Sequence, residues 1–149
     1  MVKKIVSTLV SVNKAKVTDL KSLKKSMEGF LAKNLKAYAN VANDMKKADK
    51  VYVKTSKAFE NENSVLNAHY LKVAKASLDS CVEAYNELTK NINDSINSIK
   101  GVYEELNAAV AVVSEEDAAK QAEDFNKYNA KIASTIKKIN DSLTGYPHY

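Results

Sequence analysis

The chain has 149 residues, of which 45% are hydrophobic and 28% are charged, and it carries a formal net charge of +5. This composition excludes a disordered chain, and three glycines with one proline are too few for a turn-rich β-sandwich or barrel. The single Cys81 excludes an intrachain disulfide framework, and we expect no membrane span because no run of about eighteen apolar residues occurs. We therefore expect an all-α protein, with one helical domain over residues 1–149.

Residues 1–13 form a distinct amphipathic segment. Its apolar residues follow the spacing of one helix face and are Val2, Ile5, Val6, Leu9 and Val10. Lys3 and Lys4 lie off this face. Three interpretations are compatible with the pattern: a signal peptide, an interfacial membrane helix, and the first turns of the next helix packed on the core. The second interpretation makes the five apolar residues candidates for membrane insertion.

A heptad pattern that runs from Val17 to Phe59 without interruption predicts the first long helix, which we place over residues 14–60. With Val17 at position a, the a and d positions hold mostly apolar side chains, which predicts a buried stripe. Four further apolar residues widen this stripe, namely Leu23, Phe30, Leu35 and Ala42. The helix therefore has a core-facing side and an opposite side.

Lysines occupy positions b, c and f of the same heptad frame, on the side opposite the stripe. These candidate anion-contacting residues are Lys25, Lys33, Lys36, Lys46, Lys47, Lys50, Lys54 and Lys57. Residues 1–57 hold fourteen lysines and four acids, a net charge of +10, whereas residues 58–149 hold nine lysines and fourteen acids, a net charge of −5. This polarity indicates a face directed at a polyanion, or head-to-tail association, although a simple solvated face explains it equally well.

A second apolar pattern predicts a helix over residues 63–113, and a third predicts a helix over residues 115–144. The candidate N-cap residues before the second helix are Asn61, Asn63 and Ser64. Ser114 is followed by three acids and is the candidate N-cap of the third helix. A glycine and the single proline end that helix, so residues 145–149 form a tail that we expect to be mobile.

Short connections between long helices predict antiparallel neighbours, so the expected fold is an elongated antiparallel three-helix coiled-coil bundle. A bundle this thin exposes apolar surface unless another chain covers it, and we therefore expect a homodimer or a larger homo-oligomer. The candidates for this intermolecular contact are Leu66, Tyr70, Val73, Val102 and Val112.

The sequence offers no constellation of catalytic residues, and we predict neither an enzyme, nor a metal site, nor a cofactor. His69 and His148 fall in different parts of the chain, and we expect the first to be a helix-surface residue or a partly buried polar one rather than a base. Cys81 occupies a core position, where a thiol behaves as a small hydrophobe. Without arginine or a basic patch interleaved with aromatic residues, specific nucleic-acid recognition is disfavoured, and only non-specific packaging fits the charge.

The amphipathic segment over residues 2–10, three long helices of falling length and the rows of lysines together resemble the BAR-domain superfamily. This resemblance implies a three-helix antiparallel coiled coil that dimerises into a banana-shaped module on membranes. It also implies that Lys3 and Lys4 flank an inserted segment, while lysines of the first helix contact anionic phospholipid. The change from a basic first part to an acidic second part also resembles ESCRT-III-like membrane-remodelling proteins, where such polarity accompanies polymerisation.

The leading hypothesis is thus a non-enzymatic, cytoplasmic, peripheral membrane protein that binds and shapes anionic membranes through its lysine-rich face. The alternative is a helical structural or adaptor module without membrane activity. Examples of this alternative are a viral, secretion-system or filament-forming component and a spectrin-like spacer.

Overall fold

The computed structural model describes the backbone of residues 2–149 and the side chains of residues 17–149. Over these residues the chain forms three α-helices, α1 (Val2–Asn61), α2 (Val65–Ala111) and α3 (Glu115–Ser142). The prediction of an all-α protein is confirmed. The backbone of α1 is continuous, so a separate short helix at the N-terminus is not supported.

Serine side chains cap the second and third helices, as the sequence predicts. The Ser64 hydroxyl accepts the backbone N–H of Asn67 at 3.1 Å, which selects this residue from the three candidates before α2. The Ser114 hydroxyl accepts the backbone N–H of Asp117 at 3.2 Å, and three acids occupy the first turn of α3. Gly145 has a φ of +84°, which ends the chain's helical course beyond α3.

The helices contribute to two compact units, each built from two stretches of chain. Unit 1 combines residues 1–33 with residues 93–134, and unit 2 combines residues 34–92 with residues 135–149. The core of unit 1 contains Leu20, Val102, Leu106 and Ala109. Each unit therefore has its own apolar cluster.

The core of unit 2 brings α1 and α2 together with the end of α3. Its buried residues are Ala42, Met45, Leu78 and Leu143. Tyr52 and Tyr146 pack against them, although both are only partly buried. The last turn of α3 and the residues after it therefore complete this core.

The heptad frame of α1 correctly predicts which positions face inward. Every a and d residue from Val17 to Phe59 is buried or half-buried. The third inward position is e, as Leu35 shows at 8% exposure, whereas the g residues Leu23 and Phe30 are exposed. The prediction that Leu23 and Phe30 widen the buried stripe is therefore wrong, because the helices packed on α1 leave these two side chains largely in contact with solvent.

One predicted intermolecular contact is also wrong. Val102 is only 8% exposed and packs against Leu20 and Leu106 in the core of unit 1, so it is not available to a second chain. The other four candidates are exposed, and they are Leu66, Tyr70, Val73 and Val112.

Candidate functional site

The eight lysines predicted on the outer side of α1 are accessible. Lys25 and Lys33 belong to unit 1, and the other six belong to unit 2. Seven of the eight residues are exposed, whereas Lys46 is half-buried. These exposures follow from the heptad frame, in which the b, c and f positions point away from the neighbouring helices.

Five of these residues fall within a single stretch of α1 in unit 2, residues 46–57, and we call them the lysine patch. Its members are Lys46, Lys47, Lys50, Lys54 and Lys57. Among the residues with described side chains, the ion pairs of lysine include those of Lys24, Lys120 and Lys127, and no ion pair is seen for a member of the patch. Asp44 lines the same groove as Lys47 but forms no ion pair with it.

Asp49 is the one acid within the stretch from Lys46 to Lys57, and its side chain is buried and forms no ion pair with the patch. Its side chain is 1% exposed and lies at an e position, on the core side of α1. The backbone N–H of His148 donates to Asp49 Oδ1 at 2.7 Å, and the His148 ring Nδ1 contacts the other carboxylate oxygen. These two contacts satisfy a carboxylate whose burial alone is unfavourable.

The C-terminal tail is docked on unit 2, so the expectation of a mobile tail is wrong. Tyr146 packs on the core, and the Tyr149 hydroxyl donates to Asp79 Oδ1 at 2.6 Å. The Tyr149 ring also meets Tyr52 edge to face, with centroids 5.7 Å apart. The hydrogen bond to Asp79, with a smaller effect of desolvation, raises the pKa of Tyr149 to about 12.

A second polar cluster in unit 2 lies where α1, α2 and α3 meet. The Tyr38 hydroxyl donates to Asn140 Oδ1 at 3.0 Å and accepts from the Thr89 hydroxyl at 3.1 Å. The Tyr85 hydroxyl also donates to Asn140, and its ring stacks on Tyr38 with centroids 4.5 Å apart. Burial, followed by the hydrogen bond with Tyr38, raises the pKa of Tyr85. The phenol therefore stays protonated at neutral pH and serves as a structural donor.

The corresponding cluster of unit 1 surrounds Tyr103. Its hydroxyl donates to Glu28 Oε1 at 2.5 Å, and Lys24 Nζ lies 4.7 Å from the ring centroid. Lys24 Nζ also lies 3.4 Å from Asp124 Oδ2. Desolvation, followed by the hydrogen bond to Glu28, raises the pKa of Tyr103. This tyrosine is therefore a hydrogen-bond donor rather than a general acid at neutral pH.

The remaining reactive side chains of unit 2 are not arranged for nucleophilic chemistry. Cys81 is half-buried, and desolvation together with the nearby Asp44 raises the pKa of its thiol, which lowers its thiolate fraction. His69 is exposed on α2, which is the first of the two expected placements, and its ring centroid lies 6.2 Å from that of Tyr70. Within the part of the chain that the structure describes, no three histidines, cysteines or acids are grouped as metal ligands.

The predicted membrane-insertion segment lies outside the described side chains. The residues concerned are Val2, Lys3, Lys4, Ile5, Val6, Leu9 and Val10. Sequence reasoning missed the pairing of Asp49 with His148, because no local pattern in the sequence links the two residues.

Comparison of the chain with family models, with curated proteins and with solved structures gave no significant match. Among the helices of the described residues, none combines the length and apolarity that a membrane span requires.

Proposed function

We propose that the protein is a non-enzymatic helical scaffold that binds anionic phospholipid membranes through the lysine patch, as a peripheral protein of the cytoplasmic face. The observation that carries this proposal is the lysine patch itself: five lysines between residues 46 and 57, whose only intervening acid, Asp49, is buried. Lysine suits a diffuse anionic plane because each ammonium group acts as a point charge without a required fork geometry. Each lysine near such a surface contributes about 1 kcal/mol of attraction.

The proposal includes assembly into a homodimer or larger homo-oligomer that shapes the membrane in a BAR-like manner. Leu23 and Phe30 support self-association, because they are 48% and 59% exposed and lie seven residues apart on one side of α1. A helix of a second copy that covers them would remove apolar surface from water. Sedimentation equilibrium of Phe30→Ser tests this part, since the substitution should lower the average mass of an associating protein.

Vesicle co-sedimentation tests the membrane part of the proposal. Substitution of Lys47, Lys50 and Lys54 by glutamine removes three patch charges, which at about 1 kcal/mol each weakens binding to phosphatidylserine vesicles roughly 100-fold. The matched control replaces three exposed lysines of unit 1 by glutamine, which are Lys100, Lys120 and Lys127. Both variants lose the same net charge, so equal affinities would reject the patch as the binding surface.

The alternative function is a helical structural or adaptor module without membrane activity. The exposed Leu23 and Phe30 favour it as well, because a protein partner can use the same apolar side chains. Self-association that depends on Phe30, combined with no vesicle binding by the unaltered protein, would select this alternative. If duplex DNA displaces the protein from vesicles and binds it more tightly, non-specific nucleic-acid packaging is the better description.

A further inference from the structure

The first turns of α2 expose a row of large apolar side chains. Leu66, Tyr70 and Val73, which we call the α2 stripe, are 58%, 52% and 54% exposed. Their spacing of four and three residues places them on one face of the helix. Val65 precedes them at the start of α2 and is 89% exposed. Four large apolar residues within nine positions are thus left in contact with solvent.

The α2 stripe runs beside the part of α1 that carries the lysine patch. Near the turn, the Asn67 side-chain amide donates to the carbonyl of Ala58 at 3.3 Å, which joins the two helices. Further along, Lys47 and Val51 of α1 line the same groove as Ala74 of α2. Because the two helices run antiparallel between these points, the stripe and the patch belong to neighbouring surfaces of unit 2.

The charge around the α2 stripe favours an anionic partner. Residues 46–75 carry seven lysines and three acids, and one of the acids is the buried Asp49. Two copies of the chain that met stripe to stripe would bring their lysine patches together, which is unfavourable between like charges. A partner whose surface is anionic and whose interior is apolar can bind the lysines through its charges and bury the stripe in its interior.

We propose that the α2 stripe inserts into the head-group layer of an anionic lipid bilayer while the lysine patch binds the lipid phosphates. This inference rests on the proposed membrane binding and adds to it the site of hydrophobic insertion. An apolar helix face bordered by lysines is the arrangement that lies in the plane of a membrane interface. The Tyr70 ring, with its polar hydroxyl, suits the depth of the head groups.

A single tryptophan reports insertion directly, because the natural sequence contains none. In Tyr70→Trp, we expect a blue shift of the emission and strong quenching on vesicles of phosphatidylserine and brominated phosphatidylcholine. The matched control is Val112→Trp, a position of unit 1 that is 67% exposed and is not part of the stripe. The control should bind the same vesicles without a blue shift or quenching.

Replacement of Leu66 and Val73 by serine in the Tyr70→Trp background tests the neighbouring residues. Both positions are exposed, so the helical circular dichroism should be unchanged, while quenching should be lost and binding should become weaker and more sensitive to salt. Vesicle binding that requires the lysine patch but never quenches Tyr70→Trp would overturn the insertion and leave the proposed function intact. No vesicle binding by the unaltered protein would overturn both.

The same experiment shows whether the α2 stripe is covered by a second copy of the chain instead of by lipid. In that case the Tyr70→Trp emission is already blue-shifted without lipid. The serine variant would then convert a dimer into a monomer in sedimentation equilibrium. This result would overturn the insertion, because the stripe would be covered by protein rather than by lipid.

Discussion

Units 1 and 2 use their charged side chains differently. In unit 1, Lys24 lies 3.4 Å from Asp124, and two further lysines face glutamates one turn earlier on α3. In unit 2, the lysine patch has no carboxylate partner among the described residues, and the buried Asp49 is bound by His148 instead. The positive charge that a surface presents to a partner therefore depends on the positions of the acidic side chains and not only on the net charge.

The two units also satisfy their inward acids by different means. Glu28 of unit 1 accepts from Tyr103, so both groups belong to long helices. Asp49 of unit 2 depends on His148, which lies beyond the end of α3. A helix holds its donor in place through its own backbone, whereas a tail must be ordered by the contact itself. Unit 2 should therefore be more sensitive to changes at its periphery.

The largest loss of stability is expected from a pair of core substitutions, one in each unit. The loss should be similar in the two units. Leu106 of unit 1 and Leu78 of unit 2 are both 0% exposed. Replacement of either by alanine should lower the free energy of unfolding by about 2–5 kcal/mol, measured by urea denaturation, because it leaves a cavity. The exposed Leu66→Ala is the control and should change little. A much smaller effect in one unit would show that its core is loosely packed.

Removal of residues 147–149 should distinguish the units most clearly. The truncation leaves Asp49 without its two contacts from His148 and should lower the free energy of unfolding by about 1–3 kcal/mol. The same truncation in an Asp49→Asn background should have a smaller effect, because a neutral amide is less costly to leave unpaired. Equal effects in the two backgrounds would mean that the tail acts through the contacts of Tyr149 with Tyr52 and Asp79 and not through Asp49.

Tyr103→Phe is the counterpart in unit 1 and should have a smaller effect. The substitution removes the hydroxyl that donates to Glu28. The Glu28 carboxylate is only half-buried, so water can replace the lost donor. We expect a loss of about 1 kcal/mol in the free energy of unfolding, the usual contribution of one hydrogen bond. Tyr70→Phe, at an exposed position, is the control. If Tyr103→Phe lowered the free energy of unfolding more than the tail truncation does, unit 1 and not unit 2 would be the more sensitive unit.

The smallest effect is expected at alkaline pH. The hydrogen bond to Asp79 raises the pKa of Tyr149 to about 12, above its ordinary value of about 10. The folded protein therefore binds this proton more tightly than the unfolded chain does. The resulting stabilisation is complete below pH 10 and is lost as the pH rises through 12. The stability difference between the protein and Tyr149→Phe should shrink over this range, and a constant difference would contradict it. Solvent screening at this exposed site keeps the effect small.

The sequence was sufficient to predict the three helices and the inward orientation of the a and d positions of α1. Apolar periodicity, serine caps and acidic first turns act within a few residues, and each is visible in the letters of the chain. It was also sufficient to predict the outer side of α1, where seven of the eight lysines at positions b, c and f are exposed. Lipid binding and dimerisation remain predictions, because they depend on molecules other than this chain.

The flank of α1 that packs inward could not be predicted. A heptad stripe is symmetric about its a and d positions, so Leu35 at e and Phe30 at g are equivalent until the neighbouring helices are placed. The contact of Asp49 with His148 was also hidden, because the two residues are far apart in the chain and no local pattern links them. Burial of Asp49 follows from tertiary packing, which overrides the usual preference of aspartate for the surface.

The turn between Asn61 and Val65 has a consequence for the order of folding. The contacts of Leu78 with Met45 close a short loop across this turn, whereas those of Leu106 with Leu20 close a much longer one. Closing a short loop costs less chain entropy than closing a long one. Contacts between α1 and α2 should therefore form first near the turn and then farther from it. Leu78→Ala should therefore mainly slow refolding, and Leu106→Ala should mainly accelerate unfolding. Stopped-flow kinetics test this order. It would be contradicted if the two substitutions changed the refolding and unfolding rates in the same proportion.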